Sequence, residues 1–345
     1  MKSKQYDLPA LSLNDKIELF GAFSNYLDAS IPLNTALFQM AEYTNNVQIR
    51  RIINLILKEG AAGVNFTDTI LKFKKTLGAA YCNLISVGVQ TGELPQILKD
   101  INDLLLRQRE FKSTVIRSCS YPAFLLVLLI LSVILLVCVI QPKLAAFTAS
   151  MTGDASSLKI ASFGMESFIN ISAIIGVISV ALFFMSRNLI QSFTTEKGLK
   201  LPLFGAAIKY YNLSTFSRLL AISYKAGIPI TQAIILSADA IPNTFMRDKF
   251  IKCSALVSQK PIAKLFGTTG LFPNDLIMKI ESGDVSGNLD KVFFDISNTI
   301  NLKLEMAITS ILKLLEPTLL VLIGCAVGYF AYSVLSTVYG SLLAL

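Results

Sequence analysis

Residues 84–140 read LISVGVQTGELPQILKDINDLLLRQREFKSTVIRSCSYPAFLLVLLILSVILLVCVI. A glycine turn, Gly88 to Leu94 with Thr91 and Gly92 inside it, leads into a charged stretch with helical spacing. Tyr121 and Pro122 then open a run, Ala123–Ile140, in which 15 of 18 residues are Leu, Ile, Val or Phe and none is charged. The same order returns further on. Gly283, Asp284, Ser286, Gly287 and Leu289 lie in GDVSGNL, and Glu316 and Pro317 open a second apolar run. Gly88 pairs with Gly283, Gly92 with Gly287, Leu94 with Leu289 and Pro122 with Pro317, all at an offset of 195. One ungapped offset held over 35 residues marks a duplicated unit. Upstream, Ser30-Ile31-Pro32 is echoed by Gly227-Ile228-Pro229 at an offset of 197, so two residues were gained or lost between the motifs.

Composition sets the solvent. Of the 345 residues, 53% are hydrophobic and 16% charged, and the mean hydropathy is +0.59, outside the range of soluble globular chains. A span needs about 20 mostly apolar residues. Three stretches approach this: Ala123–Ile140, Phe168–Met185 and Thr318–Val338. Arg107, Arg109, Lys112 and Arg117 precede the first, Arg187, Lys197 and Lys200 follow the second, and the connector 143–167 is neutral. By the positive-inside rule that connector lies outside, and both polar regions lie in the cytoplasm. Nothing resembling a secretory signal opens the sequence.

The expected fold is an all-α membrane protein with two repeated cytoplasmic helical bundles of about six helices each and three transmembrane helices. The expected organisation is a first bundle over 1–118, transmembrane helix 1 over 119–142, a periplasmic connector over 143–167 and transmembrane helix 2 over 168–186. A second bundle over 187–316 and transmembrane helix 3 over 317–342 complete it. In the first bundle the apolar spacing predicts helices over 12–29, from Pro32 to Tyr43, and over 47–59, 66–75, 79–88 and 95–118.

The residues offer little chemistry. With no histidine, the Ser-His-Asp and Cys-His arrangements and histidine-ligated zinc are excluded, and there is no GxxxxGK[ST] loop. No catalytic, cofactor-binding or metal-ligating residue is assigned. The five cysteines lack CxxC spacing and read as packing residues in a reducing compartment. The glycine turns could cradle phosphate, but they follow helices and lack a neighbouring lysine, which favours a helix–turn–helix joint. Glu93, Glu281, Asp284 and Asp290 near the turns read as a solvated face, with a divalent cation or a basic partner as the alternative. The two polar regions carry +3 and +5, which suits anionic lipid headgroups better than nucleic acid. No Asp, Glu, Lys or Arg lies inside the three apolar runs, which disfavours an ion pathway. Gly324 and Gly328 have the spacing that lets membrane helices approach closely, within the chain or between copies.

Taken together, the repeated Gly-x-x-[Ser/Thr]-Gly-x-Leu turn, Tyr121-Pro122, Leu315-Glu316-Pro317 and Gly227-Ile228-Pro229 resemble the inner-membrane platform proteins of type II secretion and type IV pilus assembly, the GspF/PilC family. The resemblance covers nearly the whole chain from about residue 12. It departs at Val89, where the family often has the acidic residue that Asp284 keeps. The start close to the first bundle is similar to the short type IVb pilus members. The resemblance implies a non-enzymatic platform in the bacterial inner membrane, N-terminus cytoplasmic and C-terminus periplasmic. It further implies as partners a cytoplasmic hexameric assembly ATPase, pilins or pseudopilins, other inner-membrane assembly proteins and further copies of the chain. An oligomeric transport or channel protein is the alternative.

Overall fold

A computed structural model of the chain describes residues 6, 8–135, 138–139, 142–143, 146, 195–201 and 204–342, with side chains only in part beyond residue 114 on the first long helix and beyond 311 on the last. The expected second span, Phe168–Met185, and nearly all of the connector before it lie outside these residues. Every described element is helical.

In the first bundle, α1 (Leu13–Asp28) opens on a reciprocal cap: Ser12 Oγ accepts from the Asp15 amide, and the Ser12 amide donates to the Asp15 carboxylate. Then come α2 (Leu33–Tyr43), with Pro32 just before its first turn, and α3 (Val47–Ala61), capped by Asn46 Oδ1. The single helix expected over 66–75 is two, α4 (Phe66–Leu71) and α5 (Lys74–Leu77). The break has a packing cause. Phe73 is fully buried and stacks on Tyr6, while Lys72 pairs with Glu59 at 2.6 Å. The chain before α1 runs alongside, with Leu11 N–H donating to the Thr76 carbonyl. α6 (Ala79–Thr91) runs about one turn past the expected end at Gly88, to a C-cap at Gly92, and α7 extends unbroken over Leu94–Leu135.

The second bundle holds a short α8 (Glu196–Leu199), then α9 (Phe204–Lys225), α10 (Ile230–Asp239), α11 (Thr244–Ser254), α12 (Ile262–Thr269), α13 (Asn274–Ser286) and the long α14 (Leu289–Leu342). Asn243 caps α11 as Asn46 caps α3, at the 197 offset. Arg247 donates to the Ile241 carbonyl as Arg50 donates to that of Ala41, so one arginine in each bundle closes the end of a corresponding helix, α10 and α2.

By contacts the chain divides into two compact units. One is Met1–Ser113 with Ser192–Ala307; the other is Thr114–Gln191 with Ile308–Leu345. Both bundles fall in the first unit and share one continuous apolar core. At their seam α6 packs on α10, Arg107 donates to Asn298 Oδ1 at 3.1 Å, Lys225 meets Asp100 at 3.4 Å and the Phe111 ring lies 5.3 Å from that of Tyr211. α9 is therefore enclosed nearly all round.

In the second unit, the described parts of α7 and α14 hold large apolar side chains outward: Phe124, Val127 and Leu131 on one, Val321, Leu335 and Tyr339 on the other. Taken on the described residues alone, no helix is long and apolar enough to cross a membrane. The run Ala123–Ile140 is described as α-helix to Leu135, and Thr318–Val338 lies within α14.

Candidate functional site: the paired glycine turns

The two turns join α6 to α7 and α13 to α14. Each uses its two glycines for different purposes. Gly92 (φ 78°, ψ 4°) and Gly287 (φ 72°, ψ 10°) end their helices in the left-handed conformation, which costs a residue with a Cβ about 1–2 kcal/mol. Gly88 and Gly283 are instead buried inside the last turn of the preceding helix, where the following helix crosses closely. A Cβ on Gly88 would lie 3.1 Å from the Leu94 Cα and 3.0 Å from Ile97 Cδ1. On Gly283 it would lie 2.7 Å from Val292 Cγ2.

The remaining turn residues secure this crossing. Leu94 and Leu289, at the head of the long helices, are buried in the core. Thr91 Oγ1 donates to the Val87 carbonyl at 3.1 Å, and Ser286 Oγ donates to that of Gly283 at 3.4 Å. The amides of Gly287 and Asn288 also converge on the Gly283 carbonyl. Asp284 is half-buried on α13, and Val285 beside it is 87% exposed. Glu93, Glu281, Asp284 and Asp290 do not converge: among the described residues no group of three or more acidic or thiol side chains is placed to hold a metal ion.

The other residues singled out from sequence lie along the long helices. Tyr121 is exposed on α7, with Pro122 next in the same unbroken helix. Glu316 and Pro317 lie within α14, where Pro317 removes one N–H from the helical ladder. Gly324 and Gly328 are exposed, and no described atom comes within 4 Å of a Cβ built on either.

The sequence reading missed the bundle seam. Arg218 on α9 is 2% exposed, its guanidinium 3.7 Å from the Phe294 ring centroid, and its Nε and Nη1 have no hydrogen-bond partner among the described residues. Burial first, then the neighbouring Arg107 charge, pulls its pKa down to about 10. A lone arginine in STFSRLLAIS was the available signal. Across the seam, burial pushes the Tyr81 phenol up to about 12. Burial also raises the Cys82 thiol to about 12, which leaves it unreactive near neutral pH.

The family profile described as type II secretion system (T2SS), protein F matches this chain over residues 20–142 and again over 216–337. Each matched stretch contains one turn and runs on along the following long helix. Among curated relatives, the chain is 24% identical over 311 residues to the type IV pilus assembly protein PilC of Pseudomonas aeruginosa, covering 88% of this chain and 83% of that one. It is 22% identical to the type IV pilus assembly protein PilC of Thermus thermophilus, covering 93% and 82%. To the type II secretion system protein F of Vibrio cholerae it is 21% identical, covering 90% and 78%.

Proposed function

We propose that this chain, which belongs to the type II secretion system protein F family, is a non-enzymatic platform of a type IV pilus or type II secretion machine in the bacterial inner membrane. The observation that carries this reading is the double match, each half including a turn and the long helix it starts. An α-helix is stiff along its axis, so a displacement of a bundle at Gly92 or Gly287 is passed along α7 or α14. The uncharged apolar runs on those helices, with side chains held outward, suit insertion in a bilayer and contact with the apolar helices of pilins or pseudopilins. On this account a cytoplasmic assembly ATPase pushes on the bundles, the turns set the angle of the long helices, and pilin is lifted from the membrane. Basic flanks put Lys58 and Lys260 in the cytoplasm and Ser156 outside.

Two measurements test the reading. Cysteine labelling in intact cells should reach position 156 from outside and positions 58 and 260 only after the membrane is opened. Labelling of position 156 from the cytoplasmic face alone would overturn the topology. Removing the chain from cells should stop filament assembly or secretion while processed pilin accumulates in the inner membrane; loss of a solute flux with filaments intact would instead mark a transporter.

A further inference from the structure

The first bundle carries an open groove of about 190 Å³ between α1 and α2, reaching the start of α3. Leu19, Met40 and Ile49 form a buried apolar floor, and Tyr26 and Tyr43 form the walls, Tyr43 being 73% exposed. Glu18 lies at the exposed rim, its carboxylate accepting the Thr44 hydroxyl at 2.9 Å, and Asp15 stands one turn away on the same helix. Two nearby cations are engaged elsewhere, Arg50 by the carbonyls of Ala41 and Thr44 and Lys16 over the Tyr81 ring.

The second bundle shows what this face looks like when closed. The floor is buried in both copies, but at the 197 offset the exposed Glu18 and half-buried Tyr26 become Thr215 and Ser223, 5% and 0% exposed, and the large exposed Tyr43 becomes the half-buried Ala240. At the edge of that face the chain supplies its own cover. α8 packs against α9 and α11, and Leu199 lies against the core. Asn243 Nδ2 donates to the Thr195 carbonyl at 3.1 Å. The matching Asn46 Nδ2 donates instead to Asp15 at 2.7 Å. The covering segment reads Lys197-Gly198-Leu199-Lys200, a leucine between lysines on one helical turn.

We infer that the groove of the first bundle receives a short helical segment of a partner protein, with one large apolar side chain for the floor and a lysine or arginine within a turn to meet Glu18. The volume suits the anchor, since a cavity of about 150 Å³ holds a benzene-sized group. The charge selects the partner, because an anionic lipid surface would be repelled by Glu18 and Asp15. The inference stands on the contrast between the bundles and does not depend on the platform reading.

The test uses the full-length protein in its native membrane with a photoreactive phenylalanine at position 43, and a control with the same group at position 240. Irradiation at 43 should give an adduct with a different protein, and mass spectrometry should place the attachment on a helix with Lys or Arg within four residues. Glu18→Lys should lower the yield about tenfold, equivalent to about 1.4 kcal/mol of binding, and the control at 240 should give none. Adducts only with lipid, only with a second copy of this chain, or none at all would overturn the proposal, as would a yield unchanged by Glu18→Lys.

Discussion

Leu19, Ile53 and Leu98 fill the centre of the first bundle; their counterparts at the two offsets in the second are Phe216, Phe250 and Phe293. The aromatic set is tightly arranged, with Phe216 and Phe250 stacked at 3.8 Å and Phe266 edge-on to Phe216, Phe250 and Phe293. The exchange runs both ways, since the buried Phe20 and Phe23 of the first bundle have Ser217 and Leu220 as counterparts, and the second bundle encloses Arg218, Ser217 and Ser223 with side-chain polar atoms lacking described partners. The first bundle also buries Phe20, Phe23 and Phe73 and an Asn102 Oδ1 without a described partner; it differs in leaving its α1–α2 face open. What the copies keep in common is narrower: the two glycines of each turn, the asparagine cap, the carbonyl-binding arginine and the leucine that heads each long helix. Duplicated scaffolds diverge in core and surface where alternatives pack equally well. They hold fixed the positions where backbone geometry leaves no alternative.

The largest expected effect is at the helix crossing. Gly283→Ala drives a methyl to 2.7 Å from the β-branched Val292, which should cost about 2–3 kcal/mol in thermal or denaturant unfolding. Val292→Ala should recover most of that loss. Gly88→Ala meets the Leu94 backbone, so no single side-chain substitution should rescue it. If Gly283→Ala is neutral, or rescue works equally in both copies, the crossings are not as close as described.

Arg218→Met keeps volume and removes a buried, incompletely bonded cation from the seam. It should stabilise the bundle unit by about 1–2 kcal/mol, read as a higher melting temperature. A lower melting temperature would show that the Phe294 contact and unlike charges across the seam outweigh the desolvation cost.

The smallest effect separates two corresponding loops. Ser30 is the non-glycine residue with positive φ (59°) among those described, at the place where the second copy has Gly227 (80°). Ser30→Gly should stabilise by up to about 1 kcal/mol and Gly227→Ala should destabilise by about the same. Equal effects of the same sign at both sites would break the correspondence.

Much of this was legible in the sequence because the signals were local. The paired glycine turns, the Ile-Pro elements and the amphipathic spacing each follow from a few neighbouring residues, and the helices lie close to where spacing places them. Non-local features were hidden. The break at Phe73 depends on Tyr6 stacking from more than 60 residues away. The merging of the bundles into one unit depends on Arg107, Lys225 and Tyr211 meeting partners in the other half. At the turns, the recurring glycines were legible but their separate tasks were not: Gly92 supplies positive φ and Gly88 the close approach of the next helix.

The most direct test of the central proposal is the double substitution Gly92→Val with Gly287→Val, assayed at matched protein levels in the membrane. Both positions face open space, so the cost is backbone conformation alone, about 1–2 kcal/mol at each. The account predicts that the protein stays in the membrane with both bundles folded, that filament assembly or secretion stops, and that processed pilin accumulates in the inner membrane. A double variant that is stable and still assembles filaments at the normal rate would contradict the turns as the route from bundle to membrane helix.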